Sequence, residues 1–205
     1  MSKLAVVTSG GANFNSIEIA LQRLGVDYQL TIDPVVIAAA DGVLFPGVGS
    51  AEYAMSELRK HGLIEVLRNY PKPLLGICLG MQLLYEFSEE GNVECLGILP
   101  GKVRKFNSAD GLIVPHMGWN NLIPLKESPL FNNVDPNKDV YFVHSFYAPV
   151  NSATLASCDY GVEFAAIAQQ GNFYAMQFHP EKSGSLGEQL LKNFIEVVND
   201  NLSSN

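Results

Sequence analysis

Three stretches carry residue types capable of nucleophilic chemistry. In "PLLGICLGMQLLYE" (73–86), Cys78 stands between Gly76 and Gly80, after an apolar run and before a helix-periodic segment. G-x-C-x-G is the thiol form of a nucleophile elbow: strand turns sharply into helix, the nucleophile sits at the strained bend, and glycines keep side chains out of it. The bend also brings the sulfur to a helix N-terminus, where partial positive charge favours a thiolate. The same five residues equally suit a small buried cysteine at a glycine-lined turn. In "FYAMQFHPEKSG" (173–184), His179 ends an apolar strand, Pro180 stops it and Glu181 follows. That spacing could join a base to the carboxylate that orients it, as a cysteine nucleophile requires, or leave both in an ordinary exposed loop. In "LFPGVGS" (44–50), a strand ends in Pro-Gly-Val-Gly. Backbone amides around Val48 and Gly49, with that of Leu79 after the nucleophile, could form an oxyanion hole; a tight βα turn would use Gly47 and Gly49 just as well.

The remaining histidines are less suggestive. His61 lies late in a helical stretch before Gly62 and reads as a C-terminal cap, while His116 and His144 lie in "PHMGWN" and "FVHSF". H-x-E also occurs in zinc deaminases, but the P-C-x-x-C those enzymes need is absent, so no metal is expected.

The first half of the chain must position the elbow, and it alternates apolar runs with helical patterns, as a parallel α/β sheet does. Strands are expected at 4–8, 28–32, 42–47 and 73–78. A helix is expected over 15–25, capped by Asn15 or Ser16 and stopped by Gly25; another starts after Ser50 and runs to about Arg59, and helical pattern continues over 62–70 until Pro71 and Pro73 end it. The second half reads as antiparallel strands at 101–106, 140–150 and 153–158, with a hairpin over 163–179 turning near Gly171 and Asn172. A closing helix is expected over 186–199, with Leu190, Leu191, Phe194, Ile195 and Val198 on one face. There is no linker or repeat, so residues 1–205 are expected to form a single domain.

At 205 residues and 47% hydrophobic content the chain can bury a substantial core. With 21 acidic against 13 basic residues and a net charge of -8, it lacks the footprint of a protein that binds nucleic acid or an anionic membrane. No apolar run has the length of a signal peptide core or a spanning helix. Three scattered cysteines, Cys78, Cys95 and Cys158, argue against a disulfide framework. A chain that stays in a reducing cytoplasm is the expectation.

Together and in this order, "PGVG", "GICLGMQLL" and "QFHPEKS" resemble the class I triad glutamine amidotransferases over nearly the whole chain. At "PHMGWN" (115–120) and "YFVHSFY" (141–147) the sequence is similar to the glutaminase subunits of imidazole glycerol phosphate synthases. The resemblance implies a flavodoxin-like α/β domain, with a mostly parallel central sheet flanked by helices and antiparallel strands added in the second half. It implies that Cys78 attacks the side-chain amide of glutamine, activated by His179 and oriented by Glu181, with the oxyanion held by amides of Leu79 and the Val48–Gly49 region. It places Gly47, Gln82, Glu90, Ser145 and Phe146 against glutamine, Phe146 standing where a tyrosine is common. It implies no cofactor, and as partner a (β/α)8-barrel cyclase subunit that receives ammonia in a heterodimer and makes imidazole glycerol phosphate and an aminoimidazole carboxamide ribotide. Asn13, Pro115, Met117, Trp119, Tyr141 and Lys182 would face that subunit, "PHMGWN" as a docking loop, although the single tryptophan could instead fill this domain's own core. Two further readings are a paralogous glutaminase that feeds amidation of a surface-sugar precursor and a catalytically silent module of the same fold.

Overall fold

A strand pattern in which successive side chains are all apolar demands cover on both sheet faces, and that demand organises the fold. The computed structural model describes residues 2–8, 14–108, 111–135 and 137–203; Asn13 lies outside them. The first half runs β1 (Lys3–Val7), α1 (Asn15–Arg23), β2 (Asp27–Thr31), α2 (Pro34–Ala39), β3 (Gly42–Gly47), α3 (Ala51–Lys60), α4 (Leu63–Arg68), β4 (Leu74–Cys78) and α5 (Leu79–Leu83). The second half runs β5 (Phe87–Ser88), β6 (Val93–Glu94), β7 (Lys102–Lys105), β8 (His116–Asn120), β9 (Ile123–Pro124), β10 (Val140–His144), β11 (Phe146–Tyr147), β12 (Thr154–Asp159), β13 (Glu163–Gln170), β14 (Phe173–Met176) and α6 (Gly184–Ser203).

The main sheet has eight strands in the order β2-β1-β3-β4-β14-β13-β12-β9. The pairings from β2 to β14 are parallel and the rest antiparallel. The expected mostly parallel sheet with added antiparallel strands is therefore found, and its parallel part has the flavodoxin order. Alternate residues of each strand feed two cores. Ala5, Val7, Val43, Phe45 and Leu74 pack under α2 to α5. Leu4, Val6, Leu44, Leu75 and Ile77 pack under α1 and α6, where Leu190, Leu191, Phe194 and Val198 are buried. Each of the valine, leucine, isoleucine and phenylalanine side chains among them contributes roughly 1.5 to 3 kcal/mol on removal from water. A two-stranded sheet (β10-β8) and a four-stranded one (β11-β7-β5-β6) stand beside this frame.

Several expectations are corrected. Helix α1 has Phe14 at its N-cap position with no side-chain cap bond, not Asn15 or Ser16. Helix α2 was not anticipated; Asp33 caps it by accepting from Val35 N at 2.8 Å. The expected run over 140–150 is two strands, because the Ser145 carbonyl turns to accept from Phe106 N and the chain changes partner from β8 to β7. "PHMGWN" is a paired strand and not a loop. Ser50 caps α3 as expected, accepting from Tyr53 N, and His61 ends that helix beside Glu57.

The elbow imposes the tightest packing. A Cβ on Gly80 would lie 1.7 Å from the Phe45 carbonyl oxygen, and one on Gly76 would lie 2.8 Å from that of Gly80. Both obstacles are backbone and cannot rotate away. Gly80→Ala should therefore destabilise the protein by about 1 to 3 kcal/mol or more, read as a lower urea midpoint; an unchanged midpoint would contradict the close contact between α5 and β3.

Candidate active site

Cys78 is the last residue of β4 and has φ +54° and ψ −113°, a conformation that a non-glycine residue adopts only under constraint. The two glycine contacts just described supply that constraint. The sulfur sits, largely buried, at the start of α5, whose first amides, Leu79 among them, have no intrahelical acceptor. His179 follows β14 in the same sheet, next to β4. Its side chain lies close enough to the Cys78 sulfur to be influenced by it, and its Nδ1 lies 2.8 Å from Glu181 Oε1. Burial disfavours the charged imidazole, yet the sulfur and the carboxylate together outweigh burial and raise its pKa from 6.5 to about 10. The three residues thus stand as a nucleophile, a proton carrier and, hydrogen-bonded to it, its orienting group. Two further thiols lie in the core: burial pushes Cys95 up to about 11, against a smaller opposing effect of Arg59, and pushes Cys158 up to about 12 with help from nearby acids. They are inert core cysteines.

The triad opens into a cavity of about 370 Å³ lined by Val48, Gly49, Cys78, Leu79, Gln82, Glu90, Pro115, Val143, His144, Ser145, Phe146 and His179. Distant parts of the sequence are thereby brought together. Glu90 Oε2 accepts from Ala51 N at 2.9 Å; burial raises its pKa while that bond opposes the rise. It gives the cavity a carboxylate suited to an ammonium group. Gly47 does not line this cavity. It borders a smaller one of about 60 Å³ beside Glu181 and Lys182, with its own Cα packed on Leu79 and Gly80. Pro115, partly exposed, lines the edge of the 370 Å³ cavity. A larger groove of about 830 Å³, lined by residues such as Leu125, Phe131 and Lys138, holds none of the candidate residues; chemistry, not size, selects the smaller cavity.

On the outer face of β8, Met117 is 63% and Trp119 57% exposed, so the tryptophan does not fill the core. Trp119 pairs with Tyr141 across the two strands, their rings 5.8 Å apart. Lys182 is also exposed. Among the described residues no three His, Cys, Asp or Glu side chains converge as a metal site would.

Sequence reasoning missed four supporting residues. Ser183 is buried; its hydroxyl accepts from Tyr141 N at 2.9 Å and donates to the His179 carbonyl at 2.7 Å, while His179 N donates to Tyr141 O. Gln177, His144 and His116 are buried polar side chains: Gln177 bonds to Gln82, His144 shares the Phe146 carbonyl with Gln82, and His116 bonds to His144. Their only signal in the sequence is a polar residue where a strand's apolar pattern leads inward. Burial lowers the pKa of His116 to about 4 and of His144 to about 3, the latter also opposed by a bond to the Phe146 carbonyl and favoured by the neighbouring His116 and His179. Both rings are therefore neutral at physiological pH.

The class-I glutamine amidotransferase family matches residues 6–198, and the chain belongs to it. A solved structure described as a glutamine amidotransferase has the same fold, with a TM-score of 0.73 at 20% identity, covering 96% of this chain and 98% of that one. The curated relatives are narrower in kind. "Imidazole glycerol phosphate synthase subunit HisH" of Xylella fastidiosa (strain Temecula1 / ATCC 700964) is 51% identical, and that of Xanthomonas axonopodis pv. citri (strain 306) 50% identical, each over 96% of this chain and 98% of the relative. Within the family, the chain's place is with these HisH subunits.

Two expectations test the site. His179→Asn keeps a hydrogen-bonding side chain but cannot carry the proton, so alkylation of Cys78 by a glutamine-like chloroketone should slow by about 100-fold or more; labelling at the wild-type rate would remove His179 from the triad. The folded protein holds His116 and His144 well below 6.5, so the unfolded chain binds more protons at every pH between 6.5 and those values. Their contribution to stability is complete above 6.5 and falls as the pH is lowered. His116→Phe should flatten the decline of melting temperature between pH 6.5 and 5; an unchanged slope would contradict a neutral buried pair.

Proposed function

We propose that the chain, as one glutamine amidotransferase domain over residues 1–205, hydrolyses glutamine at Cys78 and passes the ammonia to a (β/α)8-barrel cyclase subunit in histidine biosynthesis. The observation that carries the reading is the strained Cys78 in contact with a His179–Glu181 pair, at the head of a cavity that also holds Gln82 and Glu90. Glutamine would enter with its ammonium toward Glu90 and its amide carbon toward the sulfur. Attack by the sulfur gives a tetrahedral oxyanion, which the amides of Leu79 and of the Val48–Gly49 segment are suited to accept. The imidazolium of His179 then gives its proton to the departing nitrogen, the C–N bond breaks, and ammonia and a glutamyl thioester result. Water, deprotonated by the now neutral His179, hydrolyses the thioester to glutamate and restores the sulfur.

Free ammonia at neutral pH is mostly ammonium and not nucleophilic, so a receiving partner is a chemical need. The relatives are named as synthase subunits, and the exposed Met117 and Trp119, flanked by Tyr141 and Lys182, offer an aromatic, apolar patch of the kind that anchors interfaces. Asn13 belongs to the same proposed face by resemblance alone. Among the described residues no helix is long and apolar enough to cross a membrane, and three free cysteines suit a reducing cytoplasm.

The deciding experiment follows glutamate release by the chain alone, with a cyclase subunit from the same genome, and with that subunit plus its ribotide ligand. Release that needs the cyclase is expected, along with formation of the imidazole product. Cys78→Ala should abolish glutamine-dependent turnover while ammonia-dependent turnover by the complex persists. Glutaminase activity surviving that substitution would sink the nucleophile assignment, and product formation only with a different ammonia acceptor would move the chain to another pathway.

A further inference from the structure

The polar groups beneath the cavity form one continuous hydrogen-bonded chain, and each step fixes the next. Gln82 Nε2 lies 2.9 Å from the Phe146 carbonyl oxygen and 2.9 Å from Gln177 Oε1. A backbone carbonyl can only accept, so the amide nitrogen of Gln82, not its oxygen, must face inward. Phe146 O takes a second bond from His144 Nδ1 at 2.8 Å, which places the His144 proton on Nδ1. His144 Nε2, in a neutral ring, is then an acceptor, and the His116 Nδ1 atom 3.1 Å away must be its donor. His116 has no freedom to turn: its ring is stacked between Tyr160, centroids 3.9 Å apart, and Phe142, centroids 4.8 Å apart. At the other end Gln177 is wholly buried, and its Nε2 has no hydrogen-bond partner among the described residues. A buried amide with an unpaired donor is unfavourable. What Gln177 contributes in return is the acceptor that takes the second Gln82 proton.

With both N–H bonds of Gln82 directed inward, its Oε1 has no hydrogen-bond partner among the described residues, is not among their buried unpartnered atoms, and belongs to a residue that lines the cavity. We propose that Gln177 and His116, which do not touch substrate, are positioning residues that lock the Gln82 amide with its oxygen toward the bound amino acid. The locked amide presents an acceptor to a ligand group that donates, here the ammonium that Glu90 also faces, and disfavours a carboxylate in the same place, which sets the orientation of the bound amino acid. The proposal rests on the reading that the cavity binds glutamine against Gln82.

The test is saturable labelling of Cys78 by a glutamine-like chloroketone, followed by intact mass, which separates the half-saturating concentration from the limiting rate. Gln177→Leu and His116→Phe should each raise the half-saturating concentration about fivefold to fiftyfold, the range of one lost buried hydrogen bond, and change the limiting rate by less than about twofold. His116→Asn, whose amide N–H can stand where Nδ1–H stands, should restore the wild-type value. In a Gln82→Leu background, Gln177→Leu should add nothing. If Gln177→Leu fails to fold, Gln177→Met, of similar length and lacking the acceptor, takes its place. Unchanged saturation in the Gln177 and His116 variants, with a weakened Gln82→Leu, would overturn the proposal and leave the glutamine site standing. Additive losses, or equal losses in rate and saturation, would reduce both residues to a structural role and also overturn it. No effect of Gln82→Leu itself would remove the reading on which the proposal rests.

Discussion

The site depends on how closely the backbone of α5 is allowed to approach β3. Where a side chain on Gly80 would stand there is already the Phe45 carbonyl, 1.7 Å from the ideal Cβ position. That contact lets the chain leave β4 and enter a helix within one residue, and Cys78 absorbs the whole change of direction in its own dihedrals. A conformation of this kind costs on the order of 1 to 3 kcal/mol. It persists because β4 is buried along its length, between β3 on one side and β14 on the other. The strain is therefore held by the centre of the sheet, the part of the fold with the least freedom to relax.

The second half of the site is held differently. His179 lies beyond the end of β14, where the sheet no longer fixes it, and two hydrogen bonds from β10 take over. Tyr141 receives the His179 N–H, and Tyr141 N–H in turn reaches Ser183, whose hydroxyl closes on the His179 carbonyl. The imidazole is thus clamped on the backbone from both sides before Glu181 orients its ring. Nucleophile and base come from different elements, one set by packing and the other by polar bonds, and they meet only because β4 and β14 are neighbours.

This division explains what could be read from the sequence. Cys78 with its glycines, and His179 with Glu181, are local patterns, and local patterns survive without a structure. Strands β1, β3 and β4 were legible because both their faces are buried and their residues are uniformly apolar. Strand β8 was not, since its pattern is inverted: His116 points inward while Met117 and Trp119 point out, and Gly118 interrupts the run. Helix α2, six residues long, has too few turns to show a period. The supporting network was illegible for another reason. Its bonds join residues 28, 64 and 95 positions apart, and one of them ends on the Phe146 carbonyl, a backbone group that carries no side-chain signature. Site membership can be written in short motifs, but the orientation of an amide or an imidazole is written in contacts that only folding creates.

The inverted strand also ties together two things that motifs show separately. Because successive residues of a strand point to opposite sides, β8 places a polar anchor for the cavity and an apolar surface patch one residue apart. Its register with β10 sets His116 opposite His144 on the inner side and Trp119 opposite Tyr141 on the outer side. Tyr141 is also the residue whose carbonyl holds His179. A displacement of the two-stranded sheet would therefore strain the clamp on the base and the chain that orients Gln82 together, because the same backbone carries both. The outer patch and the clamp on the base are carried by the same pair of strands, joined through the backbone of Tyr141.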